Sequence, residues 1–432
     1  MLQVVVIFSQ SHVNFRLAEF EAICSIFAIK VVQKEPINTT DHIFVLFFEN
    51  ERQVRQLLSR AILVKFAVQL SIEAVTYTEL YAKMHSEPRI IENFNKIDES
   101  FALRFFAIGR KKKLDSLERI RTFLDHVPIK NAPISLSAPK NELYLVEEYE
   151  NPDDEQPKRV FFGKLIGEGR VGLKTRYNLK DRCYIGNTTM DPELSFIQAN
   201  LAMITAGNVA LDPFVGTGGL ILPAAEFGAF VAGTEINYQT ARAKGRSSRQ
   251  GVGERLESES IRANFEQYGT LHRLLSIMIA DSSKHLIWSA NAKFDVIVAD
   301  PPYGVREKAR KTVKNKEMKE DSEDVVRYQK KEEYDLEKAY CDLLTLAARI
   351  LVPNGRASFW YPVILEKYCS ENLPRHPAME LVSNCEQQLT RKTSRRLLTY
   401  RKLRNPEENE EGAIIECGGV SHYRTVLFSP KH

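Results

Sequence analysis

The 432 residues carry 60 Lys and Arg against 56 Asp and Glu, a formal net charge of +4 at pH 7, with 44% hydrophobic and 27% charged content. This composition excludes a chain dominated by disorder and allows two or three globular domains, each large enough to bury a core. A net charge this small does not demonstrate a nucleic-acid partner, because a near-neutral total can hide basic faces on single domains. Cysteines 24, 183, 341, 369, 385 and 417 form no CxxC pair, which points to a reducing, cytoplasmic compartment and argues against a disulfide framework or a zinc knuckle. No metal site is expected. No stretch approaches the ~18 apolar residues of a membrane span, so no membrane association is expected.

Met1 to Phe8 lacks a basic leader and a small-residue cleavage site and turns polar at Ser9, so it reads as a first strand. Ile43 to Phe48 reads as another. Phe15 to Phe27 and Glu51 to Lys65 have the apolar spacing of amphipathic helices. Phe101 to Ala107 reads as a strand with Arg104 among its aromatics, followed by the basic run Arg110-Lys111-Lys112-Lys113, a helix from Leu114 to Asp125, and a closing strand at Leu143 to Val146. Strands and helices alternate as in an α+β domain. The basic run is ordinary solvated surface or, beside strands bearing Phe and Arg, an RNA-backbone contact. Prolines and acids at 151–157 end this first unit, giving domains at 1–150 and 182–432 with a linker at 151–181. The linker contains a strand-like piece, Val160 to Ile166, and then Lys174, Arg176 and Lys180, which with Arg182 at the start of the second unit suit either RNA contact or plain exposure.

The second unit holds the chemistry. Asn208 to Leu211 reads as a strand entering Asp212-Pro213-Phe214-Val215-Gly216-Thr217-Gly218-Gly219, after which Leu220 to Phe227 resumes a helical pattern. Strand, glycine loop and helix bring backbone close to a ligand. Neither GxGxxG nor the lysine of a phosphate loop is present, and an acid opens the loop, which suits a cationic methionyl group better than a pyrophosphate. The next strand, Phe230 to Thr234, ends at Glu235, where a carboxylate can accept from ribose hydroxyls. Leu274 to Ala280 ends at Asp281, placed to meet an adenine amino group. Phe294 to Ala299, β-branched and apolar as a buried parallel strand, ends in Asp300-Pro301-Pro302-Tyr303-Gly304. Two prolines fix φ and remove two donors, leaving the Asp300 carboxylate and the Pro301 carbonyl as rigid acceptors beside the flat face of Tyr303, an arrangement that suits an exocyclic amino group. Each acid alone reads as a helix cap or surface group. Four at successive strand ends read as a site.

Asp212 to Gly218 together with Asp300 to Tyr303 resembles the Rossmann-like class I methyltransferases of exocyclic amines, and Arg182 to Leu194 narrows the likeness to the tRNA guanosine N2-methyltransferases. The first unit resembles the ferredoxin-like plus THUMP region of that family. The resemblance implies an α/β fold with a preceding α+β RNA-binding region, and S-adenosyl-L-methionine as the methyl donor. It implies the N2 amine of a tRNA guanosine, at position 10, as acceptor. It further implies cofactor binding by Asp191, Pro192, Asp212, Phe214, Gly216, Thr217, Gly218, Glu235, Ile236, Asp281 and Asp300, and catalysis by Asp300, Pro301, Pro302 and Tyr303. Gly219 departs from the serine expected there in relatives. Two other functions use parts of the same pattern: methylation of adenine N6 in DNA or of a protein glutamine, and RNA binding by a decayed methyltransferase.

Beyond Gly304, residues 306–319 hold seven bases and two acids and 320–335 are mainly acidic, a polarised insert read as disorder or as a lid on the catalytic rim. Tyr334 to Leu351 reads as a helix, and Pro353-Asn354-Gly355 as a turn before a strand at Ala357 to Tyr361. Leu381 to Leu389 and Leu397 to Tyr400 read as the last strands, with Arg391, Lys392, Arg395 and Arg396 as a basic hairpin tip that is either plain solvated loop or an RNA-facing element on the substrate side. Leu274 to Ala280 is expected at the sheet edge, apolar on both faces and without a lysine or proline guard, so it needs a cover. The resemblance implies a small zinc-binding activator subunit as that cover; an internal one from Gly245 to Ser260 is the alternative.

Overall fold

The computed structural model describes residues 1–34, 36–111, 114–127, 129–249, 251–303, 310–312, 331–333, 335–414 and 423. The chain divides into two compact units, Met1–Val171 and Gly172–His432.

In the first unit β1 (Leu2–Phe8), β2 (Val32–Gln33), β3 (Ile43–Phe48), β4 (Val64–Ala74), β5 (Phe101–Ile108), β6 (Asn141–Glu148) and β7 (Arg159–Glu168) form one sheet in the order β2-β3-β1-β4-β7-β6-β5. Only the β5–β6 pair is parallel among its neighbours. Successive residues serve opposite faces, as the two-residue repeat of a strand requires: Phe161 joins one apolar cluster and Phe162 the other. The helix Ser116–His126 starts at Asp115, whose carboxylate accepts from the Leu117 and Glu118 N–H groups.

Two expectations for this unit change. The helix expected from Glu51 to Lys65 stops at Leu58, because the buried Glu19 carboxylate, reaching from another helix, accepts from the Ile62 and Leu63 N–H groups at 3.1 and 2.8 Å and turns the chain into β4. The expected linker 151–181 contains β7, which is hydrogen-bonded to β4 on one side and β6 on the other, so Leu143 to Val146 does not close the sheet. Val160, Phe161 and Phe162 are buried, and burying both faces places that segment inside a sheet rather than between domains. The helix Gly172–Arg176 falls in the second unit.

The second unit adds β8 (Val209–Asp212), β9 (Phe230–Glu235), β10 (Leu274–Ile279), β11 (Phe294–Ala299), β12 (Arg310–Thr312), β13 (Lys331–Glu333), β14 (Leu351–Ile364), β15 (Met379–Gln388) and β16 (Thr393–Lys402). Seven of these form a sheet ordered β10-β9-β8-β11-β14-β16-β15, while β12 and β13 pair separately. The run from β10 to β14 is parallel; β16 and β15 are antiparallel additions. The helix Leu336–Ile350 packs its apolar stripe against β11 and β14 to make the main core. Pro353-Asn354-Gly355 is a bulge inside the 14-residue β14 rather than a turn before a strand: pairing with β11 jumps from Leu351 opposite Phe294 to Arg356 opposite Val296, and Asn354 takes φ +63°. Most of the expected insert, together with Gly304, lies outside the described residues; 310–312 and 331–333 are its two paired strands.

Strand β10 lies at the sheet edge as expected, but its side chains are not covered on both faces. Leu275 is 56% and Ile279 43% exposed. Among the described residues β10 is hydrogen-bonded to β9 alone, and the segment 245–260 bridges to itself at Arg246 and Glu254.

Candidate active site

Parallel strands release their chains at one end of the sheet, and in this unit each of four does so with an acid. Asp212, at the end of β8, is 1% exposed, and its carboxylate accepts from the Phe214 N–H at 2.9 Å. The loop that follows turns at Gly218 (φ +85°) and lies against β9, where a Cβ at Gly233 would sit 2.6 Å from Val215. Glu235 ends β9 and ties this loop down, one carboxylate oxygen accepting from Gly216 N–H at 3.0 Å and the other from Asn237 N–H at 2.7 Å. Asp281 follows β10 and accepts from the Ser283 N–H and hydroxyl at 3.0 and 2.7 Å. Asp300 follows β11 and accepts from the Tyr303 hydroxyl. All four acids line one cavity of about 650 Å³.

The electrostatics favour a cationic guest. Burial holds the Asp212 carboxyl well above the usual range, Asp300 and Glu235 push it further, and the Phe214 N–H only partly offsets them. A ligand bringing positive charge relieves that burden. Burial and the neighbouring Asp300 charge also push the Tyr303 phenol up. For Arg395 burial would lower the guanidinium pKa, yet Tyr303 and Asp300 more than offset it and the net shift is upward.

Of the residues expected to bind cofactor or act on substrate, Asp191, Asp212, Phe214, Gly216, Thr217, Glu235, Ile236, Asp281, Asp300, Pro301, Pro302 and Tyr303 line this cavity. Pro192 and Gly218 do not: Pro192 is the buried first residue of the helix Pro192–Leu201, and Gly218 supplies the loop's turn. The expected RNA-facing bases scatter. Lys174 pairs with the nearly buried Glu193, and Arg176 with Glu226 at 3.4 Å while lying over Tyr177. Arg110 lies 5.0 Å over the Tyr149 ring, Lys111 is exposed, and Lys112 and Lys113 lie outside the described residues. Arg391 is exposed in the turn between β15 and β16. Arg395 and Arg396 are not at a hairpin tip. Both lie in β16, because β15 and β16 pair up to Gln388 opposite Ser394; Arg396 covers Tyr368 and Arg395 lines the cavity.

Several cavity residues escaped sequence reasoning. Asn187, Thr188, Thr189 and Met190 fall within the segment 182–194 that carried a resemblance, and Thr189 shares a 2.8 Å hydroxyl contact with Thr217 of the glycine loop. Ser282 hydrogen-bonds the Pro213 carbonyl and Thr234, pinning the start of the loop. Ser283, Ala339, Leu389 and the buried Tyr423 also line the cavity, and nothing in the sequence around Tyr423 signals its return to this site. Among the described residues no group of three or more His, Cys, Asp or Glu is placed to hold a metal ion, and no helix is long and apolar enough to cross a membrane.

The family model described as the Tmrp11 THUMP N-terminal domain matches residues 2–170, and that described as the RMKL-like methyltransferase domain matches 180–342. The protein named tRNA (guanine(10)-N(2))-methyltransferase TRMT11 from Xenopus laevis is 35% identical over 437 residues, spanning 98% of this chain and 90% of that protein. The protein of the same name from Homo sapiens is 34% identical over 441 residues, spanning 98% and 94%. The crystal structure of TrmN from Thermus thermophilus aligns with a TM-score of 0.46 at 15% identity, covering 93% of this chain and all 100% of that one.

Proposed function

The chain belongs to the TRMT11 family of tRNA (guanine(10)-N(2))-methyltransferases, and from that premise we propose that it transfers a methyl group from S-adenosylmethionine to the N2 amine of guanosine 10 in tRNA. The observation that carries the reading is the convergence of Asp212, Glu235, Asp281 and Asp300 on one cavity with Pro301, Pro302 and Tyr303. S-adenosylmethionine supplies a methyl group activated as a sulfonium. Asp212 and its neighbouring acids would offset the donor's positive charge, Glu235 would receive its ribose hydroxyls, and Asp281 its adenine amine. The guanine N2 lone pair is delocalised into the ring, so the nitrogen must be held in line with the methyl group. Asp300 and the Pro301 carbonyl engage its N–H groups for that purpose. With the donor bound, Asp300 or water would take the proton that N2 loses as it gains the methyl group. The Tyr303 hydroxyl gives up its bond to Asp300 when the amine arrives, and its ring stacks on a base that has left its pair.

The THUMP unit supplies RNA affinity, with Arg110, Lys111, Lys112 and Lys113 as its candidate contacts, while Arg391, Lys174 and Arg176 are the corresponding bases of the second unit. A small zinc-binding activator subunit covers β10 by adding a strand, a reading supported by its unguarded edge and the exposure of Leu275 and Ile279. The test is incubation of the chain, alone and with that activator, with methyl-labelled S-adenosylmethionine and tRNA, DNA or protein, followed by mapping of the label. Label on guanosine 10 N2 of tRNA supports the proposal; label only on DNA or protein, or none with either preparation, overturns it.

A further inference from the structure

Strand β16 carries Arg395 into the cavity wall, where surface charge has no reason to be. Three contacts fix the guanidinium. Nε donates to Gln387 Oε1 across the hairpin at 2.7 Å, Nη2 donates to Met190 Sδ at 3.3 Å, and the group lies 4.2 Å over the Trp360 ring. It shares the cavity wall with Tyr303 and Asp300, whose charges favour the cation. Met190 belongs to the loop on the donor side of the cavity, and Tyr303 and Asp300 to the acceptor loop. Arg395 therefore spans the two.

A second route joins the same groups. The fully buried Trp360 donates its indole N–H to Gln198 Oε1 at 2.9 Å, and the buried Gln198 amide donates to the carbonyls of Ser358 at 2.8 Å and Ala299 at 3.3 Å. Ala299 immediately precedes Asp300. The arginine thus stacks on a ring whose own hydrogen-bond chain fixes the peptide carrying the acceptor carboxylate. A planar, weakly hydrated guanidinium suits a stacked, partly desolvated place of this kind, and a lysine ammonium does not.

We propose that Arg395 is a positioning residue for methyl transfer, holding Asp300 and Tyr303 in the orientation that receives the amine while tying them to the donor-side loop, and that it makes no contact with the tRNA backbone. The proposal rests on the methyltransferase reading above. Because Arg395 acts on the reacting geometry through Asp300 and Tyr303, its loss falls on turnover rather than on binding of either substrate.

The test uses the full chain with its activator and compares the wild type with Arg395→Gln, Arg395→Lys and Gln387→Ala. In Arg395→Gln, kcat falls about 100-fold, the order of effect of losing one preorganising group, while tRNA KM and the calorimetric affinity for S-adenosylmethionine stay within about twofold. Arg395→Lys recovers part of kcat, and Gln387→Ala, which frees only Nε, loses severalfold. The salt dependence of tRNA binding is unchanged in all three. A raised KM with kcat intact, and a salt slope shallower by about one unit, would make Arg395 a phosphate contact and overturn the proposal. So would wild-type turnover in Arg395→Gln, or a matching loss of S-adenosylmethionine affinity. If Arg395→Gln does not fold, as shown by loss of cooperative melting, the Lys and Ala variants decide: wild-type kcat in both overturns the proposal. An inactive wild type with intact cofactor binding counts against the methyltransferase reading instead.

Discussion

The two flanks of the second unit's sheet are built on opposite principles. On the β10 flank, parallel strands end in acids, and the outermost strand offers a bare edge with Leu275 and Ile279 exposed. On the β15 flank the antiparallel hairpin carries cross-strand polar pairs beside the exposed Leu381 and Val382: Glu380 pairs with Arg401 at 2.6 Å, Glu386 with Arg396 at 3.6 Å, and Gln387 accepts from Arg395. Cross-strand pairs of this kind guard an edge against stray pairing. One flank supplies the electronegative floor of the cavity and ends in an edge strand with no cross-strand charge pair among the described residues, whereas the other supplies its cation and carries charge pairs beside Leu381 and Val382. The difference comes from strand direction, since only parallel neighbours deliver successive loops to one end of a sheet.

Asp300 sits where the flanks meet, so removing it should do most damage. Asp300→Ala is expected to reduce transfer by at least ~1,000-fold while S-adenosylmethionine affinity falls less than about threefold, because Asp212, Glu235 and Asp281 remain. Single-turnover rates and calorimetry measure the two quantities. An equal loss in both would move Asp300 from the acceptor side to the donor side and erase the distinction between flanks.

The edges come next. Glutamates at Leu275 and Ile279 should weaken association with the activator by roughly 30-fold or more, the loss of one interface anchor of about 2 kcal/mol, while glutamates at Leu381 and Val382 on β15 leave it unchanged. Titration by size-exclusion light scattering reads both. Equal effects at the two edges would mean that the bare strand is not the docking site.

How much of this was legible follows the same division. Each of β8, β9, β10 and β11 is a short apolar run closed by an acid, a local signal that survives without knowledge of contacts. Arg395 was not legible, because a base in Thr393-Ser394-Arg395-Arg396 looks like solvated loop until its pairing with Gln387 turns it inward. Likewise β4 was hidden by Glu19, which sits more than forty residues earlier in the chain and decides where the preceding helix stops. Strand β7 followed a stretch of prolines and acids that looks like a boundary, and only its two neighbours place it in mid-sheet. Contacts distant in sequence carry no local periodicity.

A smaller effect tests the charge balance of the β10 flank. The Asp212 carboxyl is pushed up chiefly by burial, so its folded-state pKa lies above its unfolded one. Its contribution to stability is therefore complete below the unfolded value and is lost as pH rises through the folded value. Asp212→Asn should remove that decline, leaving the ligand-free chain more heat-resistant than wild type at neutral pH while lowering S-adenosylmethionine affinity about 10-fold. In the wild type a cationic ligand favours the carboxylate, so binding releases a proton and tightens as pH rises over the same window. Calorimetry in buffers of differing ionisation heat detects the release; its absence, or its persistence in Asp212→Asn, would take Asp212 out of contact with the donor's charge.

The smallest effect is expected outside this sheet, at the basic run of the first unit. Lys111 is exposed, whereas Arg110 lies along the buried Tyr149 ring and donates to the Glu155 carbonyl at 3.4 Å. An exposed base that meets a phosphate releases a counterion, and each such contact contributes nearly one unit to the slope of log affinity against log salt. Neutralising Lys111 alone should flatten that slope by about one unit and weaken tRNA binding severalfold at moderate salt. Neutralising Lys112 and Lys113 as well should deepen the change, and kcat at saturating tRNA should not move. The signature is opposite to that of Arg395, where kcat falls and the slope holds. Filter binding across a salt series reads the slope directly. Identical curves for wild type and the Lys111 variant would return the run to ordinary surface, and leave Arg391 on the β15–β16 turn as the exposed base to examine next.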